Sequence, residues 1–210
     1  VLNIDYHAKW LLPLRILLSP VAVLYGSLVQ LRNVLYDLGL FKSHRFPVKI
    51  ISVGNLSAGG SGKTPLTMFL AGMLRRQYGA VAVVSRGYGR KSSGVRLVSD
   101  GNAILLSPME AGDEPCLIAN KLPGVIVVVA EKRADGIAFL LQNFKPAVIL
   151  LDDAFQHRGV FRDLDVLLIN AGEPAFDRWP LPAGFYREFA FNRRRSGMML
   201  YTHSQSPSQQ

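Results

Sequence analysis

The largely apolar, β-branched run Val48 to Val53 passes without a break into Gly54-Asn55-Leu56-Ser57-Ala58-Gly59-Gly60-Ser61-Gly62-Lys63-Thr64, and a helical pattern begins near Pro65. A strand that turns through glycines into a helix is a phosphate-binding loop in form. Glycines let the backbone curl so that successive N–H groups converge on one anion, and the helix start adds its positive end. In such a loop Lys63 reaches the terminal phosphates and the Thr64 hydroxyl ligates Mg²⁺. The cradle residues are therefore Ser57, Ala58, Gly59, Gly60, Ser61, Gly62, Lys63 and Thr64. Ser57 stands where the common pattern has glycine, while Pro65 falls early in the helix, where a missing N–H costs nothing.

The same rhythm continues downstream. Val81 to Ser85, Val125 to Ala130, Ala147 to Leu151 and Asp165 to Asn170 are short apolar runs, with a sixth expected at Met198 to Tyr201. Apolar on both faces, they read as buried parallel strands. Between them lie helical stripes: Leu66, Phe69, Leu70, Met73 and Leu74, closed by Gly79, then Ile137, Leu140, Leu141 and Phe144. Strand and helix in alternation predict an α/β fold, a P-loop-type three-layer sandwich with a mainly parallel sheet.

Ahead of this core, Trp10 to Leu31 is mostly apolar and flanked by Lys9 and Arg32. Its length permits a membrane span. Arg15, Pro13 and Pro20 inside it argue against one, and Leu14, Leu17, Leu18, Val21, Tyr25 and Leu28 recur at helical spacing, which suits a helix lying in a membrane interface. An ordinary core helix is the third reading. Three segments are expected: a membrane-associating helical segment over 1–40, a P-loop core over 41–202 and a polar tail over 203–210. Lys and Arg outnumber Asp and Glu 24 to 15, a net +9 that favours anionic partners without choosing among them. The lone cysteine, Cys116, excludes an internal disulfide and a cysteine-built zinc site.

Four further motifs carry chemistry. Val148 to Leu151 ends in Asp152-Asp153 at a strand's carboxyl edge, where a nucleotide's Mg²⁺ has to be met. Asp152 is assigned to the metal, with Asp153 as its supporting partner or second ligand. In Gly112-Asp113-Glu114-Pro115, Asp113 either caps the following helix or serves as the base that takes a proton from an acceptor hydroxyl. Ser85-Arg86-Gly87-Tyr88-Gly89-Arg90-Lys91 and Phe155-Gln156-His157-Arg158 follow strands at the same edge, where ligands bind in open parallel sheets. Arg86 or Arg90 is placed to hold a phosphate, or belongs to a solvated cluster. His157 is placed to orient a substrate oxygen, or is satisfied by a nearby carboxylate.

In this order, the motifs resemble the tetraacyldisaccharide 4'-kinase family of the lipid A pathway in Gram-negative bacteria. The resemblance rests on the apolar first helix, Ser52-Val53-Gly54-Asn55, Gly59 to Pro65, Ser85 to Arg90, Gly112 to Pro115, Asp152 to His157, Leu181-Pro182-Ala183-Gly184 and Arg187-Glu188. Ala154 replaces the family's glycine. The resemblance implies transfer of the γ-phosphate of ATP, with Mg²⁺, to the 4'-hydroxyl of an acylated glucosamine disaccharide 1-phosphate. It places the reaction at the cytoplasmic face of the inner membrane, with a peripheral or shallowly inserted anchor. By the same resemblance Asp113 is the catalytic base, Lys63 and Thr64 the phosphate-loop pair, Asp152 and Asp153 the metal-side acids, and Gln156 and Arg187 lie near the reacting groups; His157 joins the catalytic set. Members of that family continue into a second lobe, which implies that these residues support nucleotide binding more readily than transfer.

Two other classes compete. One is a membrane-associated nucleotide-binding or ATPase module that phosphorylates no sugar lipid. The other is nucleic-acid binding, favoured by the charge and by Arg193-Arg194-Arg195 but lacking an aromatic platform or recognition helix. No nucleic-acid partner is expected.

Overall fold

A computed structural model describes residues 12–202. Helix α1 (Leu12–Asp37) leads into strand β1 (Lys49–Asn55), helix α2 (Lys63–Tyr78) and strands β2 (Val81–Ser85) and β3 (Arg96–Ser99). Helices α3 (Pro108–Ala111) and α4 (Asp113–Lys121) precede β4 (Ile126–Val129), α5 (Arg133–Asn143), β5 (Val148–Asp152), β6 (Leu164–Asn170) and β7 (Met198–Thr202). The sheet has seven strands in the order β3-β4-β2-β5-β1-β6-β7, parallel except for β3 on β4. The expected α/β sandwich is the observed fold, and the sixth expected strand is present as β7.

Alternation along buried strands builds two cores. Val81 and Val83 of β2 join Val127, Leu150, Ala71, Leu74 and Ile118 on the face covered by α2 and α4. Ala82 and Val84 face the other way, to Val128, Ile149, Leu151, Ile137 and Leu140 under α5. Burying a Val or Leu side chain is worth about 1.5–3 kcal/mol, so strands apolar on both faces are the main adhesive of all three layers.

Two expectations change, and one alternative falls. Strand β3 was not expected: Arg96-Leu97-Val98-Ser99 is short, half polar and paired on one side only, with an irregular register. On α2 the buried residues are Thr67, Ala71 and Leu74, while Phe69 is 64% exposed, so the core stripe is rotated from the apolar count. On α1 the docked face is not the greasy one, which removes the core-helix reading and leaves the apolar face outward as an interfacial helix requires. Ala22, Gly26 and Asn33 are its buried residues, and Leu17, Leu24 and Leu28 are 75%, 63% and 60% exposed.

Polar and small residues seat that helix. Arg15 pairs with buried Asp177 at 2.7 Å, and the Tyr25 hydroxyl donates to the Arg187 carbonyl at 3.0 Å. Asn192 Nδ2 donates to Gln30 Oε1 at 3.0 Å. Gly26 lies against the Phe189 ring, where a Cβ would stand 2.7 Å from Cζ. Pro20 deprives the Ile16 carbonyl of its usual helical donor, and the Ser19 hydroxyl donates to that oxygen instead at 2.7 Å. The expected tail over 203–210, Trp10 and the rest of residues 1–11 lie outside the described residues.

Candidate active site

β1 and β5 are neighbours, in register Val53 to Asp152. That pairing brings the glycine-rich loop leaving β1 beside the acid pair ending β5, although nearly a hundred positions of sequence separate them. Gly62, at φ 84, forms the left-handed start of α2, and Gly59 and Gly60 have no atom within 4 Å of where a Cβ would stand. The inner side of the loop is therefore open for an anion. The loop's base is pinned: Ala58 N–H donates to the Phe185 carbonyl at 2.7 Å, Arg187 N–H donates to the Leu56 carbonyl at 2.8 Å, and Ser57 bridges Tyr186. Ala58's amide is thus committed to the scaffold. Among the described residues, the amides from Gly59 to Thr64 have no backbone acceptor, as a phosphate cradle at a helix N-terminus requires. Ser61 is buried, its hydroxyl unpartnered among the described residues, and Thr64 is half-buried beside Lys63.

Lys63 Nζ donates to the Gly59 carbonyl at 3.1 Å and stands 3.8 Å from Asp153. Asp153, at φ 45, is held by Arg187 Nη1 at 3.0 Å from each carboxylate oxygen. Gln156 Oε1 accepts from the same Nη1 at 3.4 Å. Lys63, Asp153, Gln156 and Arg187 therefore form one contact set.

Asp152 differs from its neighbour. It is 1% exposed, and its Oδ1 accepts from the Thr67 hydroxyl at 2.9 Å. Among the described residues its Oδ2 has no hydrogen-bond partner. Burial pushes its carboxyl up to about 6, against the opposing pull of the Thr67 bond. Behind it Arg133, at the start of α5, donates to the Ala130 carbonyl at 3.0 Å and the Asp152 carbonyl at 3.1 Å. Burial lowers that guanidinium to about 10.

A cleft of about 650 Å³ opens over these groups, lined by Gly59, Lys63, Asp153, Gln156, His157 and Arg187, with Arg86, Glu114 and Arg133 opposite. Tyr25, Val29 and Arg32 bring α1 to its rim. His157 is pushed down to about 4 by burial first and then by Arg133, Arg162, Arg86 and Arg32. The charges that act on it are guanidiniums, not the carboxylate considered from sequence. Asp113 opens α4 as an exposed residue behind Gly112, without a side-chain capping bond; its neighbour Glu114 is the acid that lines the cleft. Arg90 does not itself line the cleft: it donates to the Gly94 carbonyl and pairs with Glu131, which does.

Sequence reasoning did not single out Glu114, Arg133, Arg32 or Thr67. The rule that ligands meet loops after parallel strands points to Arg133, just beyond β4. Nothing local marks Thr67 or Arg32. Among the described residues no cluster of three or more His, Cys, Asp or Glu side chains gathers to hold a metal. A divalent ion here would rest on one or two carboxylates, a hydroxyl and phosphate oxygens, the habit of Mg²⁺.

A family model described as Tetraacyldisaccharide-1-P 4'-kinase matches residues 14–210. The chain is 50% identical over 188 residues to a tetraacyldisaccharide 4'-kinase of Chlorobaculum tepidum, covering 88% of this chain and 54% of that protein. A relative of the same name from Chlorobium limicola is 48% identical over 191 residues, covering 90% of this chain and 55% of its own length. The chain thus spans about half the length of these relatives. Among solved structures, an "apo" form of LpxK from Aquifex aeolicus, in complex with ATP, superposes with a TM-score of 0.85 at 44% identity. That match covers 90% of this chain and 59% of the other.

Proposed function

The chain belongs to the tetraacyldisaccharide-1-P 4'-kinase family, and from that premise we propose that it binds Mg-ATP and directs the γ-phosphate to the 4'-hydroxyl of an acylated glucosamine disaccharide 1-phosphate. The observation that carries this reading is the apposition of an open amide cradle on β1 with a buried, half-satisfied carboxylate on β5. The proposed organisation is a membrane-associating helix over 1–40 and a nucleotide-binding core over 41–202.

The free Oδ2 of Asp152, unpartnered in a buried site, fits a divalent cation. Asp152 and Thr64 would hold Mg²⁺, with Asp153 supporting it, and the ion would neutralise charge on the β- and γ-phosphate oxygens. Lys63 exchanges its contacts with Gly59 and Asp153 for phosphate oxygens. Arg187 keeps Asp153 oriented, and Gln156 steadies Arg187. In the transfer itself the acceptor oxygen attacks the γ-phosphorus, the bond to the β-phosphate oxygen breaks, and the hydroxyl proton passes to the Asp113 carboxylate. Asp113's place at the exposed start of α4, next to cleft-lining Glu114, suits an acceptor that arrives from outside.

The acceptor is a lipid, and α1 suits a lipid surface. It is the one helix among the described residues long and apolar enough to cross a membrane. A span would strip Arg15 from Asp177 and Asn33 from its buried partners, whereas an interfacial seat leaves both intact and covers the exposed leucines. We place the protein peripherally, at the cytoplasmic face of the inner membrane.

The test is incubation with labelled ATP, Mg²⁺ and tetraacyldisaccharide 1-phosphate in mixed micelles, run on this chain and on one extended to its relatives' length. Label in the lipid is expected. Lys63→Ala should lose nucleotide affinity, and Asp113→Asn should keep affinity and lose transfer. ADP release without labelled lipid from the extended protein would replace the kinase with an ATPase, and equal loss of binding and transfer would make Asp113 structural.

A further inference from the structure

Glu188 is a carboxylate with no exposed surface, and every contact it makes reaches a different part of the chain. Arg195 Nη2 donates to both its oxygens at 3.0 and 2.9 Å. Asn33 Nδ2, from α1, donates to Oε2 at 2.9 Å. Gln156 Nε2 donates to Oε1 at 3.1 Å and also to the Asn55 carbonyl at 2.9 Å, at the end of β1. Because a carboxylate only accepts, it fixes which way both amides face. The Gln156 oxygen is thereby left pointing at Arg187 Nη1, which holds Asp153.

Asn33 is conspicuous in this chain of contacts. It is fully buried on a helix whose other buried residues are Ala22 and Gly26. Simple adhesion would be served by an apolar residue, since an amide must be satisfied once it leaves water. Its side-chain oxygen and its backbone carbonyl are engaged as well: Arg32 Nη2 donates to Oδ1 at 3.2 Å, and Arg158 Nη1 donates to the backbone carbonyl at 2.7 Å.

We propose that Asn33 and Glu188 are positioning residues through which the seating of α1 sets Gln156 and, by way of Arg187, the carboxylate of Asp153. The helix that faces the lipid thus reaches the metal side of the nucleotide site through three side chains. The inference rests on the Mg-nucleotide part of the function proposed above, and its test needs no lipid acceptor.

The experiment measures ATP affinity by calorimetry with and without Mg²⁺, alongside the thermal midpoint, for Asn33→Ala, Gln156→Ala and the double variant. Residues that orient a metal ligand typically alter metal affinity tenfold or more when removed. At this greater remove, Asn33→Ala is expected to weaken Mg-ATP about threefold to tenfold, with metal-free ATP affinity unchanged. In the Gln156→Ala background Asn33→Ala should weaken binding no further, because it acts through that residue. Multiplicative losses in the double variant, or equal loss with and without Mg²⁺, would overturn the coupling and leave Asn33 as a docking contact. If Asn33→Ala does not fold, Asn33→Ser takes its place in the same cycle. No Mg-ATP binding by the unaltered chain would sink the nucleotide reading itself, whereas binding with multiplicative losses sinks only the coupling.

Discussion

Arg187 Nη1 lies 3.0 Å from both carboxylate oxygens of Asp153, nearer than Lys63 Nζ at 3.8 Å. The guanidinium takes the share of that acid's charge which would otherwise hold the loop lysine away from phosphate. Arg187→Ala should draw Lys63 onto Asp153 and weaken ATP about threefold to tenfold, the order of 1 kcal/mol expected of a half-exposed charge pair. Calorimetric titration with ATP checks this, and an unchanged affinity would mean that Lys63 is free regardless of Arg187.

Thr67 supplies the hydrogen bond to Asp152 from within α2. Thr67→Val keeps the volume and removes the donor, leaving a buried carboxylate short of a partner. Unfolding in urea should show a loss of about 1–3 kcal/mol. A neutral substitution would mean that water replaces the hydroxyl.

Burial and four guanidiniums hold His157 at about 4, below its ordinary 6.5. Between those values the unfolded chain binds a proton that the folded chain refuses, so this residue makes stability rise with pH across that window. The contribution is present above 6.5 and is lost as pH falls toward 4. Against His157→Gln, the unaltered protein should therefore lose relative stability between pH 7 and pH 4.5 in denaturant titrations. Parallel curves for the two proteins would show that His157 titrates normally.

The exposed face of α1 gives a prediction with opposite effects on two measurements. Leu17, Leu24 and Leu28 contact little of the core, so replacing all three by Glu should leave the thermal midpoint nearly unchanged, as surface substitutions do. Co-sedimentation with anionic vesicles should be lost. A triple variant that still sediments would move the lipid contact to another surface.

The layers were legible because strands buried on both faces must be apolar along their length, a pattern that β2 and β5 carry in four residues each before ending in Ser85 and Asp152. Strand β3 escaped because an edge strand with two polar residues in four looks like a loop. The docking face of α1 was not legible for a physical reason: apolar periodicity locates only the greasy side, which the interfacial reading left outward, while the connection between β6 and β7 offers that helix Asp177, Glu188 and Asn192, so polar residues dock. The phosphate loop and Asp152-Asp153 stood out because their chemistry requires neighbours in sequence. The Glu188 network did not, since Asn33, Gln156, Glu188 and Arg195 meet only after folding, and only Gln156 and Glu188 lay in motifs that carried a family resemblance.

The adjacency of β1 and β5 also determines which parts of the chain can be rewritten. Their separation is one interstrand step, whatever the length of the excursion through β2, β3 and β4 that returns at Val148. That excursion behaves as a cassette: loops within it can lengthen, and a circular permutation opened at the exposed turn from Lys91 to Gly94 would leave cradle and acids face to face.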